Sequence, residues 1–449
     1  MKILFLEIDT ERSWAVASLG PAFLAAVLRE DGHEVSLLRV AVGDPLDDVV
    51  RAVEQAAPGL PDLIGVSLTT RQWLRARAVI AAIRQRINVP VVAGGLHPTF
   101  APESVLGSPG FDYVCHGEGE EPMLDLVRAL DKRGRVPALG IRNIQVRGGT
   151  RPALRPPIEP IDKLPFLARD MLDEKYGVVH VTTQRGCPFP CTYCAARMYD
   201  ELYEGTGEYG RRRSHESVVA EIEAIRRRGP LNYIVFLDDT FTIHHPWVKR
   251  YCEVHRERVS VPFSLNARVE TVSPQLIETL ARAGCRHIIY GVECGSERVR
   301  REVLRRPVGN ERFVDVFRWT REAGILVTAN YMLGVPGETR ADVEETLALH
   351  DRLLPDDFGY FVFYPYPGTH LFQECRDRGY LPTDYEERPA SHRASILTMP
   401  GLSIDEIGEL YDRFTAVRER DHLRRAGSRF GAAERAQVSR DLRASAATG

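Results

Sequence analysis

The sequence predicts an α/β protein in two parts: an N-terminal doubly wound parallel sheet, then a partial (β/α)6 barrel with a short helical C-terminal extension. Three observations carry this expectation. The strands of the first 140 residues are continuous apolar runs, as a parallel sheet covered on both faces requires. Residues 141–175 break the rhythm, with five prolines between Arg151 and Phe166. Over residues 176–385 strand and helix alternate again, in six units.

In chain order, residues 2–8 (KILFLEI) form the first strand, and helical spacing over 20–29 stops at Gly32. Strands follow at 33–40 and 63–68, around a helix at 46–57. An amphipathic helix covers 73–86, and short strands at 89–93 and 113–114 complete five. This half is Rossmann-like, over residues 1–140. Residues 141–175 read as an extended linker on the surface of a neighbour. Barrel strands are expected at 178–183, 233–238, 262–268, 287–293, 327–334 and 360–366, with helices at 214–228, 274–283, 311–323 and 340–354. Residues 386–449 read as helical and end in a frayed SAATG tail.

A chain of 449 residues exceeds what one core usually takes. Lys and Arg number 59 against 62 Asp and Glu, a net charge of -3, which argues against nucleic acid as the main partner. No apolar run approaches the ~20 residues of a membrane span, and the first dozen residues lack a secretory pattern. These features, with the eight cysteines, predict a cytoplasmic protein with reduced thiols. Oligomeric state is not legible.

Reactive groups of such barrels gather at the C-terminal strand ends. Here those ends read Asp238-Asp239, Asn266 with Arg268, Glu293, Asn330, and Tyr364 with Tyr366. Just after the first barrel strand, Cys187, Cys191 and Cys194 stand in a C-x-x-x-C-x-x-C arrangement. Three thiolates this close hold three corners of an iron–sulfur cube and leave one iron open to a ligand. A zinc site is the alternative; it wants four ligands, and His180, the nearby candidate, lies inside a strand.

This cysteine motif, with Tyr193 before its last Cys, resembles the signature of the radical S-adenosylmethionine (SAM) enzymes. The resemblance implies a [4Fe–4S] cluster on Cys187, Cys191 and Cys194. SAM would chelate the open iron and be cleaved to a 5′-deoxyadenosyl radical that abstracts hydrogen from a substrate. Four further stretches resemble the same family along the barrel. Residues 236–241 (FLDDTF), with Asp238, match a segment that meets the SAM amino group. Residues 291–296 (GVECGS) match a motif whose Glu, here Glu293, reaches the SAM ribose or methionine end. Residues 333–339 (LGVPGET), with Gly334 and Gly337, match a glycine-rich motif near the adenine, and residues 364–369 (YPYPGT) match a sixth-strand end. Tyr193, Asn266 and Arg268 join the expected cofactor contacts.

The first half resembles the cobalamin-binding branch of that family. Ser67 and Thr69 at the third strand end, Gly94 and Gly95 after the fourth, and Gly117 and Glu118 after the fifth are the expected cobalamin contacts. There are two departures: there is no Asp-x-His-x-x-Gly, which many members of the family also lack, and residues 17–22 (ASLGPA) replace the usual Pro-Pro-x-Gly-Leu, which counts against bound cobalamin. His97 is either a ligand or a loop histidine, and the loop reading is preferred.

The resemblance leaves two reactions open. Radical dehydration of a vicinal diol in a small sugar- or aminoglycoside-like intermediate is placed first. The short C-terminal region, with the altered loop at residues 17–22, favours it over cobalamin-dependent C-methylation. Glu293, Asp239, Tyr364 and Tyr366 are the rim groups able to help by acid–base chemistry; barrel-rim packing is the bland reading of the two tyrosines. A flavodoxin-like or other reductase would supply the electron. Outside the class stands a cobalamin-sensing module with a structural cluster.

Overall fold

The computed structural model describes residues 1–8, 19–56, 59–133 and 140–429. The start of the 17–22 loop, Ala57 at the end of a predicted helix and the SAATG tail lie outside the described residues.

Six strands make the first sheet: β1 (Lys2–Ile8), β2 (Glu34–Val40), β3 (Leu63–Ser67), β4 (Val91–Gly94), β5 (Tyr113–Cys115) and β6 (Ile144–Val146), in the order β2-β1-β3-β4-β5-β6. The two faces of β1 show why its apolar run is continuous. Leu4, Leu6 and Ile8 pack with Ile64, Val66 and Trp73, while Ile3 and Phe5 pack with Ala22, Ala25 and Leu126 on the opposite face. Strand order reverses between β1 and β3, and open α/β sheets bind ligands beyond the strand ends at such a point.

The second sheet is wholly parallel. It contains β7 (Val178–Val181), β10 (Tyr233–Phe236), β11 (Phe263–Ala267), β12 (Cys285–Glu293), β13 (Leu326–Leu333) and β14 (Asp357–Val362), in the order β14-β13-β12-β11-β10-β7. Its two edges, β7 and β14, do not pair with each other, so the barrel is open. A small ribbon, β8 (Gln184–Arg185) with β9 (Arg211–Arg212), lies beside its mouth. Helix starts follow local rules: Ser214 and Ser273 cap His215–Arg228 and Pro274–Ala283, and Thr339 with Asp342 forms a capping box on Arg340–Leu353.

Four expectations need correction. β6 is antiparallel to β5, so the first sheet is not purely parallel; three residues are too few to show a period. Residues 167–172 are more than a surface linker, because Leu167, Ala168, Met171 and Leu172 enter the core beside helix Leu19–Glu30. The last barrel strand begins at Asp357 and ends at Val362, which leaves Tyr364 and Tyr366 beyond it. Residues 388–403 form no helix, and the C-terminal helix spans Ile404–Arg429. Pro389 and Pro400 punctuate that irregular stretch.

Candidate functional site

The cysteine loop leaves β8 through Gly186, whose φ of +84° brings it against Gly210 of the β9 side; a Cβ there would lie 2.9 Å from Gly210 Cα. Cys187 and Cys191 are buried, and Cys194 is the N-cap residue of helix Ala195–Leu202. All eight cysteines are free thiols. Burial raises the Cys187 thiol and pushes Cys194 up to about 12, so thiolates here need a positive partner. Arg268 supplies one at Cys191, donating to its Sγ at 2.9 Å with the guanidinium 3.9 Å above the Phe189 ring. Among the described residues, no three His, Cys, Asp or Glu side chains converge on one metal ion. Three cysteines on one loop, Cys187 and Cys191 buried and Cys194 half-buried, are a donor set that fits a cluster with one open iron.

A buried ion pair lies alongside. Arg306, 1% exposed, donates to Glu293 Oε1 at 3.0 Å, to Tyr193 OH at 3.4 Å and to Gly291 O at 2.9 Å. Glu293 has φ of +67°, at a register shift between β12 and β13. The bulge re-aims this side chain, and such strain is retained where the surroundings fix it. Burial raises the Tyr193 hydroxyl well above its ordinary value. Sequence reading missed Arg306, because no local pattern ties it to Glu293.

Asp238 is buried and spent. It accepts from the Thr183 amide (2.7 Å), the Thr183 hydroxyl (2.8 Å) and the Gln184 amide (3.0 Å), and burial pushes it up to about 6. Its work is to tie β10 to the chain entering the cysteine loop. Asn266 donates to the Asp238 carbonyl at 3.1 Å. Asp239 is exposed, lies close enough to Cys187 and Cys194 for its charge to raise their thiols, and desolvation raises its own carboxyl. Gly334 and Gly337 both take φ of +78°. The Gly334 amide is occupied by Glu338 Oε2 at 2.6 Å, so it offers nothing to a ligand. Tyr364 and Tyr366 engage other groups. Tyr366 pairs with His392 at 2.5 Å, and Tyr364 stacks on Tyr385 in a cleft shared with Trp73, His97 and Phe100.

Glu338, 2% exposed, is pushed up to about 7 by burial. A carboxyl raised in the folded state contributes stability below its unfolded pKa and loses it as pH climbs through the folded one. From about pH 4.5 to above 7 the wild type is therefore expected to lose roughly 3 kcal/mol at this group. Glu338→Gln should flatten that slope in urea melts taken across the range, and parallel slopes for the two proteins refute the assignment.

At the switch point of the first sheet, a cavity of about 940 Å³, partly open to solvent, is walled by Phe5, Gly65, Ser67, Gly94, Gly95, Gly117, Glu118 and Glu120. Arg185, Tyr199 and Tyr209 from the second half close it. Side chains are excluded where backbone must pass: a Cβ at Gly95 (φ +96°) would meet the Leu68 carbonyl at 2.8 Å, and one at Gly117 (φ +69°) would strike the Tyr203 hydroxyl. This glycine-lined cradle fits a large flat ligand such as a corrin. Thr69 does not line it; its side chain caps the turn Thr70–Gln72. Nor does His97, which lies buried in the short helix Leu96–Phe100 between Thr70 and Ser104. The ring stacks on Trp73 at 4.8 Å, and burial pushes it down to about 4. Glu118 lines the cavity, yet Arg185, Arg211 and the Ile158 amide take its oxygens. Burial works against its charge, but the two guanidiniums outweigh that and lower its carboxyl.

Comparison with known proteins agrees with both halves. The Radical SAM superfamily matches residues 181–350, and the B12 binding domain family matches residues 15–127. An uncharacterized methyltransferase of Pyrococcus horikoshii is 30% identical over 394 residues, covering 83% of each chain. The anaerobic magnesium-protoporphyrin IX monomethyl ester cyclase of Rubrivivax gelatinosus is 26% identical, over 84% of this chain and 70% of the cyclase. In fold, the radical SAM methyltransferase TsrM of Kitasatospora setae, solved with cobalamin and a [4Fe-4S] cluster, superposes with a TM-score of 0.68 at 19% identity, over 91% of this chain and 81% of TsrM. No helix among the described residues is long and apolar enough to cross a membrane. With three cysteines at the mouth of an open six-stranded barrel and a glycine-lined cradle beside them, the chain belongs to the radical SAM superfamily, in the branch that carries an N-terminal B12-binding domain.

Proposed function

We propose that the protein is a cobalamin-dependent radical SAM methyltransferase acting on a small molecule. One observation carries this reading: the glycine-lined cavity and the cysteine loop share a wall. Arg185, two residues before Cys187, reaches into the cavity's carboxylates. A methyl carrier and a SAM-cleaving centre would thus face one another. Loaded, the cluster and SAM would supply a hydrogen-abstracting radical and cobalamin a transferable methyl group.

The chain's own residues then hold and orient. Cys187, Cys191 and Cys194 carry the cluster, with Arg268 beside Cys191 balancing thiolate charge. Arg306 fixes Glu293 and Tyr193 in one orientation, so that both present a set face to SAM. Asp239, its carboxyl raised by desolvation, is the rim group offered for proton exchange with the substrate. Cys294 and Glu338 lie behind the β12 end and pack the fold. A flavodoxin-like donor in the cytoplasm would supply the electron.

The P. horikoshii relative and TsrM, both described as methyltransferases, support this reading over the dehydration that the sequence placed first. The R. gelatinosus relative is a cyclase, which keeps non-methylating outcomes in the test. Reconstituted protein is given CD3-labelled SAM, hydroxocobalamin, dithionite and a panel of small polar substrates. A product carrying CD3 is the expected result. Loss of water without label, together with 5′-deoxyadenosine, would reject methylation in favour of dehydration.

A further inference from the structure

Glu120 opens helix Glu120–Arg133 and lines the cavity with a side chain 5% exposed. Its Oε1 accepts from Arg185 Nη2 at 2.5 Å. Its Oε2 is buried and has no hydrogen-bond partner. Neighbouring Glu118 presents no such spare acceptor, since Arg185, Arg211 and the Ile158 amide use both its oxygens. Buried polar atoms in native proteins are nearly always paired, so the missing donor is expected from whatever fills the cavity.

The chemistry of that donor can be narrowed. Arg185 already balances the carboxylates, so a neutral N–H suits Glu120 Oε2 better than a second cation. Gly117 and Gly119 flank Glu118 at the same wall of the cavity. A corrin ring carries primary carboxamides around its rim, and their N–H groups are neutral donors.

We propose that Glu120 Oε2 accepts a hydrogen bond from one ring carboxamide of cobalamin, while Oε1 ties the same carboxylate through Arg185 to the cysteine loop. The proposal rests on the cobalamin reading above. It makes Glu120 the group that sets the rotational position of the ring in its cradle, a task that Glu118 cannot perform.

The test uses cobalamin monocarboxylic acids, each with one ring carboxamide hydrolysed. Cluster-loaded protein is titrated with hydroxocobalamin and with each acid, and binding is followed by corrin absorbance. The acid that sets a carboxylate against Glu120 should bind wild type about tenfold or more weakly than cobalamin. In Glu120→Gln the repulsion is gone, so that acid and cobalamin should bind within about twofold of each other. The proposal is overturned if wild type treats all the acids like cobalamin, or if the discrimination persists in Glu120→Gln. Should wild type bind no cobalamin at all, the cofactor reading itself fails. A wild-type series without discrimination overturns the proposal whether or not the variant folds.

Discussion

Cys191→Ala is expected to abolish 5′-deoxyadenosine formation. Cys191 is 4% exposed, its sulfur accepts from Arg268, and it lies between Cys187 and Cys194 in a loop pinned by the Thr192 hydroxyl on the Val303 carbonyl at 2.6 Å. With the thiol removed, only two cysteines of the motif remain and Arg268 faces a methyl group. Iron and sulfide content should fall, and SAM cleavage should drop below ~0.1% of wild type. That loss exceeds the roughly 10–100-fold cost of removing a residue that only supports a metal ligand. Cys375→Ala is the control: its thiol is fully buried far along the sequence, in a cluster with Leu371 and Leu397, and it should leave cleavage intact. The assignment is wrong if Cys191→Ala still makes 5′-deoxyadenosine.

Gly295→Ala should cost about 3 kcal/mol or more in folding stability. The Gly295 amide donates to Thr346 Oγ1 at 2.8 Å, so the turn after β12 lies directly on helix Arg340–Leu353. A Cβ there would fall inside the van der Waals envelope of Thr346 Cα and the Glu345 carbonyl, both backbone atoms that no side-chain rotation can move. The displacement would also reach Glu293, two residues upstream in its left-handed conformation. Gly229→Ala is the comparison: its backbone is extended, a Cβ would meet nothing, and the change should stay within ~0.5 kcal/mol. Equal urea midpoints for the two variants would contradict this account.

The legible parts of this protein are those whose physics is local in the chain. Continuous apolar strands marked the first sheet and six alternating strand–helix units the second, and the cysteine spacing pointed to the cluster, because a loop of eight residues brings its own ligands together. The glycines of the first half announced a close backbone approach to a ligand, and they line the cavity at Gly94, Gly95 and Gly117. What escaped was set by distant partners. Asp238 looks like a rim acid, yet three donors from residues 183–184 consume it. Arg306 is silent in the sequence and holds both Glu293 and Tyr193. Residues 117–120 (GEGE) hold two glutamates, of which the expectation named Glu118 alone, and only the placement of Arg185 and Arg211 separates their tasks. Tyr364 and Tyr366 lie off the rim because β14 ends at Val362, four residues before the expected end at 366.

The charged seam formed by Glu118, Glu120, Arg185 and Arg211 also bears on how such a protein can be recombined. A chimaera that grafts the front half of a relative onto this barrel would inherit the arginines without a guarantee of their counterparts. Shuffling at residue 150 should therefore yield soluble hybrids only from donors that bring a carboxylate to each of the two positions, which makes the seam a compatibility code between otherwise modular halves.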